Sequence, residues 1–460
     1  MKQALTILLS LIFSSSLFAF DIDFAAPTNL LSKLNEIKIP SPVPATMHFL
    51  PDKNQKEWTI MVFMNGKNNL SNYAFKDLNE MEIVGSLPNV NIVVEVGRIE
   101  YNVTPYPYYP DSPYPYNPWQ PGIHPHWPPM ETYLTEQDLT SPTKADDWTG
   151  MRRYFITKDT DTSTVTSPIL ETLSGDMGDW KHLAEFGKWA KKNFPAKRYM
   201  LVVWNHGDGW KKPNTVSNLR GISIDDETGN EISTINLARA IKEIGGVDIY
   251  ASDACLMQMA EVAYELQNWA PVIIGSEETE PADGWPYDKI LTQLSRYQYL
   301  RYDWIAKAIT KNYAEDYSSK GKQVTQSSIK ARGLVYVRDM INDWSRLAIS
   351  SGEKGTFKQV LRETTSFGDS SSKDLIHFLT LVSQKTQSEK LRQKGTEIIN
   401  YISQELIISN HTTGERYKNA FGLAIYLPSY IYTDEYQKLR WAKDTNWDEF
   451  LQWFLAKEQE

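Results

Sequence analysis

The sequence predicts an α/β fold: a mostly parallel central sheet with helices on both faces, followed by a mainly helical C-terminal part. Three observations carry this. Short β-branched and apolar runs recur at 58–64, 90–96, 199–204, 247–253 and 271–276, each ending at turn-forming residues. Segments with apolar residues at helical spacing separate them, such as 180–193 with Leu183, Phe186, Trp189 and Ala190 on one face. The order strand, helix, strand over 58–96 is a βαβ unit, whose strands pair in parallel and need helices to cover them.

Taken in order, residues 1–19 read as a secretory signal. They hold one basic residue (Lys2), an apolar stretch over 5–13 and small residues ending near Ala19, too short and too serine-rich for a lasting membrane span. No later run approaches membrane length, so the expected location is secreted or periplasmic. Residues 20–56 form a proline-rich arm. A catalytic core is expected over 57–300, beginning with the strand at 58–64 and a helix with Leu70, Tyr73, Ala74, Leu78 and Met81 on one face. The stretch 101–130 is dense in proline and tyrosine; prolines cannot supply ladder hydrogen bonds, so it is a surface insertion. His124 and His126 within it lack further ligands at metal spacing. Residues 151–156 and 162–165 look like paired edge strands, and 219–226 like a further short strand. The region 301–460 is mainly helical to about residue 410, then carries one apolar strand over 421–427 and a last helix.

The net charge of −9 and the scattered basic residues exclude nucleic acid and anionic membranes as partners. Asp225, Asp226 and Glu227 leave room for a structural calcium, but their spacing is not that of a calcium loop, so a solvated charged turn is expected. The chemistry inferred below requires no cofactor.

That chemistry rests on two strand ends. The run 199–204 stops at Asn205 and His206, and the run 247–253 stops two residues before Cys255. Ligands of open α/β sheets bind beyond the carboxyl ends of the strands. Helical spacing from Leu256 onward places Cys255 at a helix N-terminus, where the dipole favours the thiolate. Cys255 is the only cysteine of the chain. In an oxidising compartment such a thiol is either inertly buried or catalytic, and its place in a strand-end turn favours catalysis.

Five blocks resemble the clostripain-like cysteine peptidases, relatives of the caspases, legumains and gingipains. They are Met-Val-Phe-Met-Asn-Gly-Lys-Asn-Asn-Leu (61–70), Trp-Asn-His-Gly-Asp-Gly-Trp (204–210), Ser-Asp-Ala-Cys-Leu-Met (252–257), Glu-Thr-Glu-Pro-Ala-Asp-Gly-Trp-Pro-Tyr (278–287), and the endings Gly-Leu-Ala-Ile-Tyr-Leu-Pro (422–428) with Thr-Asn-Trp-Asp-Glu-Phe-Leu (445–451). The resemblance implies a caspase-like fold and an exported endopeptidase that cleaves protein or peptide substrates after Arg or Lys. Cys255 is then the nucleophile and His206 the acid/base, with the backbone N–H groups of Gly207 and Cys255 as oxyanion hole. No third residue stands out in the sequence as orienting His206. Asp253 and Asp283 match acidic pocket positions for a cationic side chain, with helix capping as the alternative for Asp253. Relatives are processed between the histidine and the cysteine. Arg220 is the best candidate for that cleavage and Lys211 the second, whereas Lys212 precedes proline. The alternative to an enzyme is a catalytically silent relative that binds protein or cell-wall material through the insertion.

Overall fold

The computed structural model describes residues 55–99, 148–210, 221–296, 301–430 and 432–456. The signal at 1–19, most of the arm, the 101–130 insertion, Lys211 and Arg220 lie outside the described residues.

The chain begins with β1 (Lys56–Gly66), α1 (Tyr73–Val84), β2 (Val90–Arg98), β3 (Gly150–Phe155), β4 (Ile169–Leu173), α2 (Trp180–Asn193) and β5 (Ala196–Trp204). A small hairpin, β6 (Ile222–Asp225) and β7 (Asn230–Ile232), precedes α3 (Thr234–Glu243), β8 (Ile249–Asp253), α4 (Ala260–Leu266) and β9 (Val272–Gly275). Then follow α5 (Tyr287–Ser295), α6 (Tyr302–Ser319), β10 (Thr325–Lys330), α7 (Leu334–Ser351) and α8 (Lys354–Glu363). The last elements are β11 (Ser372–Asp374), α9 (Leu375–Lys385), α10 (Glu389–Tyr401), β12 (Ile407–Thr412), β13 (Ala424–Tyr426), α11 (Arg440–Asp444) and α12 (Trp447–Leu455).

Nine strands form one sheet in the order β12-β10-β9-β8-β5-β1-β2-β3-β4. The five central strands are parallel, and the outer ones on both sides are antiparallel. Period-two alternation divides the side chains between two cores. On β1, Met61 and Phe63 enter one core while Ile60, Val62 and Met64 enter the other. Helices α2 and α3 cover the first face through Phe186, Ala190, Leu237 and Ile241. Helices α1, α5 and α6 cover the second through Leu78, Met81, Leu291 and Ile309. The helices of the first face begin with side-chain caps, Asp179 on α2 and Ser233 on α3.

After β1 the chain steps to β2 on one side, and later strands build β5, β8 and β9 outward on the other. The order therefore reverses between β1 and β5, and the carboxyl ends of the strands at such a point are where ligands of open α/β sheets bind.

The structure departs from the sequence-based expectations in four places. The edge strand expected at 162–165 lies at Ile169–Leu173. Residues 161–167 instead turn, with Asp161 accepting from the Ser163 N–H at 2.8 Å and Glu82 from Thr166 and Ser167. Within the strand expected at 219–226, the described residues form β6 (Ile222–Asp225), which lies outside the main sheet and pairs with β7. The C-terminal region contributes two strands to the main sheet, β10 and β12, where a single late strand was expected. Their buried polar residues (Thr325, Gln326, Ser327 and Ser328) carry no hydrophobic signal. The strand expected at 421–427 is the shorter β13, which pairs with β11 outside the main sheet.

Candidate active site

Three loops meet at these carboxyl ends, following β1, β5 and β8. Asparagines tie the first two together. Asn205 donates to the Asn65 carbonyl at 2.5 Å and accepts from the Ile224 N–H at 2.6 Å, while Asn65 and Asn68 both donate to the Ile224 carbonyl. The β5 and β8 loops touch directly. A Cβ added to Gly207 would stand 2.4 Å from the Cys255 carbonyl oxygen, so only glycine permits this approach. Immediately after Cys255 the chain reverses through Leu256, which holds a left-handed φ of 60° and donates its N–H to the Glu278 carbonyl at 3.1 Å. A non-glycine residue in that region is strained, and such strain persists where surrounding structure enforces it.

Cys255 is half-buried, and its Sγ accepts the Glu280 N–H at 3.2 Å. Burial pushes the thiol up to about 12, against the Glu280 N–H and with the carboxylates of Glu280, Asp208 and Glu278 adding to the rise. This corrects the expectation of a thiolate at a helix N-terminus. Helix α4 begins only at Ala260 and has seven residues, so desolvation wins over any dipole term. His206 is also half-buried, and burial pulls its imidazole down to about 4. Its Nε2 lies 2.6 Å from Asn69 Oδ1. At neutral pH both groups of the pair are therefore uncharged in this conformation.

Asp253 is buried, and its Oδ2 accepts from the Trp285 N–H at 3.1 Å and the Tyr287 hydroxyl at 2.9 Å. Burial raises it to about 7, and burial likewise raises Asp77 and Glu280 well above the ordinary carboxylate range. Asp77 lies alongside. A Cβ on Gly284 would fall 3.1 Å from Asp77 Oδ2 and 3.2 Å from Asp253 Oδ2, and φ at Gly284 is 62°. Asp77 Oδ2 accepts the Trp204 indole N–H at 2.6 Å, and among the described residues Asp77 Oδ1 meets no donor. Asp283 occupies the same loop nearer the surface, paired with Lys76 and with Lys320.

That loop, 276–286, is anchored to the C-terminal region. Glu278 accepts from the Gly368 N–H at 2.7 Å and the Tyr417 hydroxyl at 2.8 Å, and Glu280 accepts from Gln326 of β10 at 3.1 Å. The late strands and turns thus hold the segment that contacts the thiol. Among the described residues no three His, Cys, Asp or Glu side chains are grouped as a metal site. Asp225 is buried, accepting from the Met177 N–H at 2.9 Å, and Glu227 pairs with Lys67.

The structure thus brings together His206, Gly207 and Cys255, and sets Asp253 two residues from the thiol. Three residues escaped the sequence reading. Asn69 carried a signal only as an asparagine in the turn after a central strand. Asp77 is an acid on the buried face of α1, between Ala74 and Leu78, and Glu280 is one acid of an acidic loop.

The sequence profile described as the clostripain family matches residues 62–453. Clostripain of Hathewaya histolytica is 26% identical over 308 residues, which cover 64% of this chain and 52% of that protein, so the chain spans about half the length of this relative. A secreted C11 cysteine protease from Bacteroides thetaiotaomicron, solved with an irreversible peptide inhibitor, superposes with a TM-score of 0.56 at 21% identity, over 85% of this chain and 100% of that one. An inactive zymogen C11 protease from Parabacteroides distasonis gives 0.56 at 19% identity, over 85% and 98%. At these identities the two structures establish the caspase-like fold. Among the described residues no helix is long and apolar enough to cross a membrane.

Proposed function

Because the chain belongs to the clostripain family, we propose that it is an exported cysteine endopeptidase that cleaves after arginine or lysine with Cys255 and His206. The observation that carries this reading is the close approach of the two loops, with Gly207 packed onto the Cys255 carbonyl. Cys255 is the only cysteine of the chain, and Gly207, against its carbonyl, directly follows His206.

Burial disfavours charge on both groups, and in this reading the reaction proceeds by proton transfer. As Sγ attacks the substrate carbonyl carbon, its proton passes to His206. The oxygen that gains charge meets the N–H groups of Gly207 and Cys255. His206 then gives its proton to the leaving nitrogen, the C–N bond breaks and a thioester remains. Water adds to the thioester, losing a proton to His206, which returns it to the departing sulfur. A substrate displaces the Glu280 N–H from Sγ as it enters, because that contact occupies the attacking atom.

Asp253, beside Asp77 and Glu280, is the acidic floor for the cationic side chain and carries its charge above about pH 7. Asp283 stands at the rim, where a basic substrate competes with Lys76 and Lys320. Processing between His206 and Cys255 belongs to the same reading: the bond after Arg220 ends a polar, basic stretch and suits a pocket that selects arginine. The apolar segment 5–13, followed by small residues, supports export.

The test is labelling with a chloromethyl ketone bearing arginine, together with hydrolysis of arginyl, lysyl and leucyl amides. Labelling at Cys255 and preference for the basic amides are expected. Failure to label Cys255 refutes the function, and equal turnover of the leucyl amide refutes the specificity.

A further inference from the structure

We propose that Asn69 is a positioning residue that fixes the tautomer and ring orientation of His206, which makes the catalytic unit Cys255–His206–Asn69. The inference rests on the proposed cysteine-peptidase reading. It adds to that reading a residue from the turn after β1 and a definite location for the reacting lone pair.

The loop that carries Asn69 is held from several sides. Asn65 Oδ1 accepts the Lys67 N–H at 3.0 Å, and Asn68 Oδ1 accepts the Leu70 N–H at 2.9 Å. The Asn68 amide donates to the Ile224 carbonyl at 2.9 Å, and the Ser71 N–H to the Asn68 carbonyl at 3.0 Å. The N–H of the same Ile224 donates to Asn205 Oδ1, on the residue before His206, at 2.6 Å. One backbone segment thus registers the Asn69 loop and the His206 loop against each other. A side chain presented from such a frame loses little freedom when it forms a further bond.

The bond in question is the 2.6 Å contact between Asn69 Oδ1 and His206 Nε2. An amide oxygen only accepts, so Nε2 must carry the hydrogen. A neutral imidazole has a single ring hydrogen. With that hydrogen on Nε2, the lone pair is on Nδ1, and Nδ1 is the atom that takes the thiol proton and delivers it to the leaving nitrogen. When His206 becomes cationic during the reaction, the Nε2–H bond to Asn69 becomes charge-assisted and strengthens. Asn69 therefore acts on the transition state through His206 without touching substrate. The topology explains why the acceptor comes from this loop: β1 and β5 flank the point where strand order reverses, so their carboxyl ends lie side by side.

The experiment combines steady-state kinetics on an arginyl amide with ¹⁵N NMR of histidine-labelled protein. In the wild type, His206 is expected to show a protonated Nε2 and an unprotonated Nδ1. Asn69→Ala should lower kcat about 10- to 100-fold, the range for loss of a residue that orients a reacting imidazole, with KM within about twofold. Its His206 signals should move towards a tautomer mixture. Asn69→Asp keeps an acceptor at the same place, and should restore the Nε2–H signature and most of kcat. A wild-type hydrogen on Nδ1, an unchanged kcat in Asn69→Ala, or equal inactivity of the alanine and aspartate variants overturns the proposal. If Asn69→Ala does not fold, the wild-type spectrum and the aspartate variant decide. If the wild type neither turns over amides nor labels at Cys255, the peptidase reading fails, while the spectra still decide for or against the Asn69 bond.

Discussion

Gly207→Ala tests the contact on which the active-site reading depends. The added Cβ would lie 2.4 Å from the Cys255 carbonyl oxygen and 3.1 Å from both Ala254 Cβ and Met257 Cγ, whereas ordinary contact begins near 3.4 Å. The histidine and cysteine loops must therefore separate by 3.4 − 2.4 = 1.0 Å. The closest neighbour is backbone, so rotation of a side chain cannot relieve the clash. A displacement of about 1 Å between catalytic groups costs on the order of 10²-fold in rate. Overpacking a tight site costs about 1–3 kcal/mol of stability, which in a chain of this size lowers the melting temperature by only a few degrees. Both effects follow from one measured pair, kcat/KM on an arginyl amide and a melting curve. A variant that folds and keeps kcat/KM within about threefold of wild type would show that the two loops do not need this separation, and the proposed dyad geometry would fall.

Three further outcomes are expected. Cys255→Ala and His206→Ala should each abolish amidolysis with melting curves close to wild type, because both side chains are half-buried loop residues beyond strand ends; more than a few per cent residual activity in Cys255→Ala refutes the mechanism. Burial raises Asp253 to about 7: below that pH it carries its proton and offers a cation no charge, so kcat/KM for arginyl amides should rise as pH passes about 7. Asp253→Asn should remove that rise and lower kcat/KM about 10- to 100-fold, in keeping with a charged hydrogen bond worth about 1.5–3 kcal/mol. Labelling of Cys255 by a neutral alkylator at fixed pH should be little altered by Asp253→Asn, and equal losses in both assays would give Asp253 a structural role. Incubation of the purified protein should yield a chain beginning at Gly221, absent in Cys255→Ala; a single intact chain with full activity would exclude the processing scheme.

The central sheet and the places of His206 and Cys255 beyond strand ends were legible because they depend on local patterns. Runs such as 58–64 and 199–204 are apolar on both faces of their strands, a signature of buried parallel strands, and His206 and Cys255 follow such runs directly. The edge strands were less legible. β10 and β12 are polar or mixed, and they are strands because neighbours supply partners: Thr325 shares a hydrogen bond with Ser276 at 2.9 Å, and Ser327 donates to the Gly422 carbonyl at 2.7 Å. No periodicity announces a strand whose buried side chains are satisfied from outside it.

The sequence by itself determined the fold class, the parallel core and the places of Cys255 and His206 beyond strand ends, because hydrophobic period and turn chemistry are properties of adjacent residues. Only the tertiary structure decided their electrostatic state. The thiol lies before a short helix and is governed by burial, and burial disfavours charge on the imidazole, which is bonded to Asn69, 137 residues away in the chain. Tertiary structure likewise decided that Asp77, Asp253 and Glu280 share one buried region, drawn from a helix, a strand end and a loop. Desolvation and long-range hydrogen bonds depend on what surrounds a group in space. Spacing along the chain does not encode that, which is why the residues were readable in advance and their protonation was not.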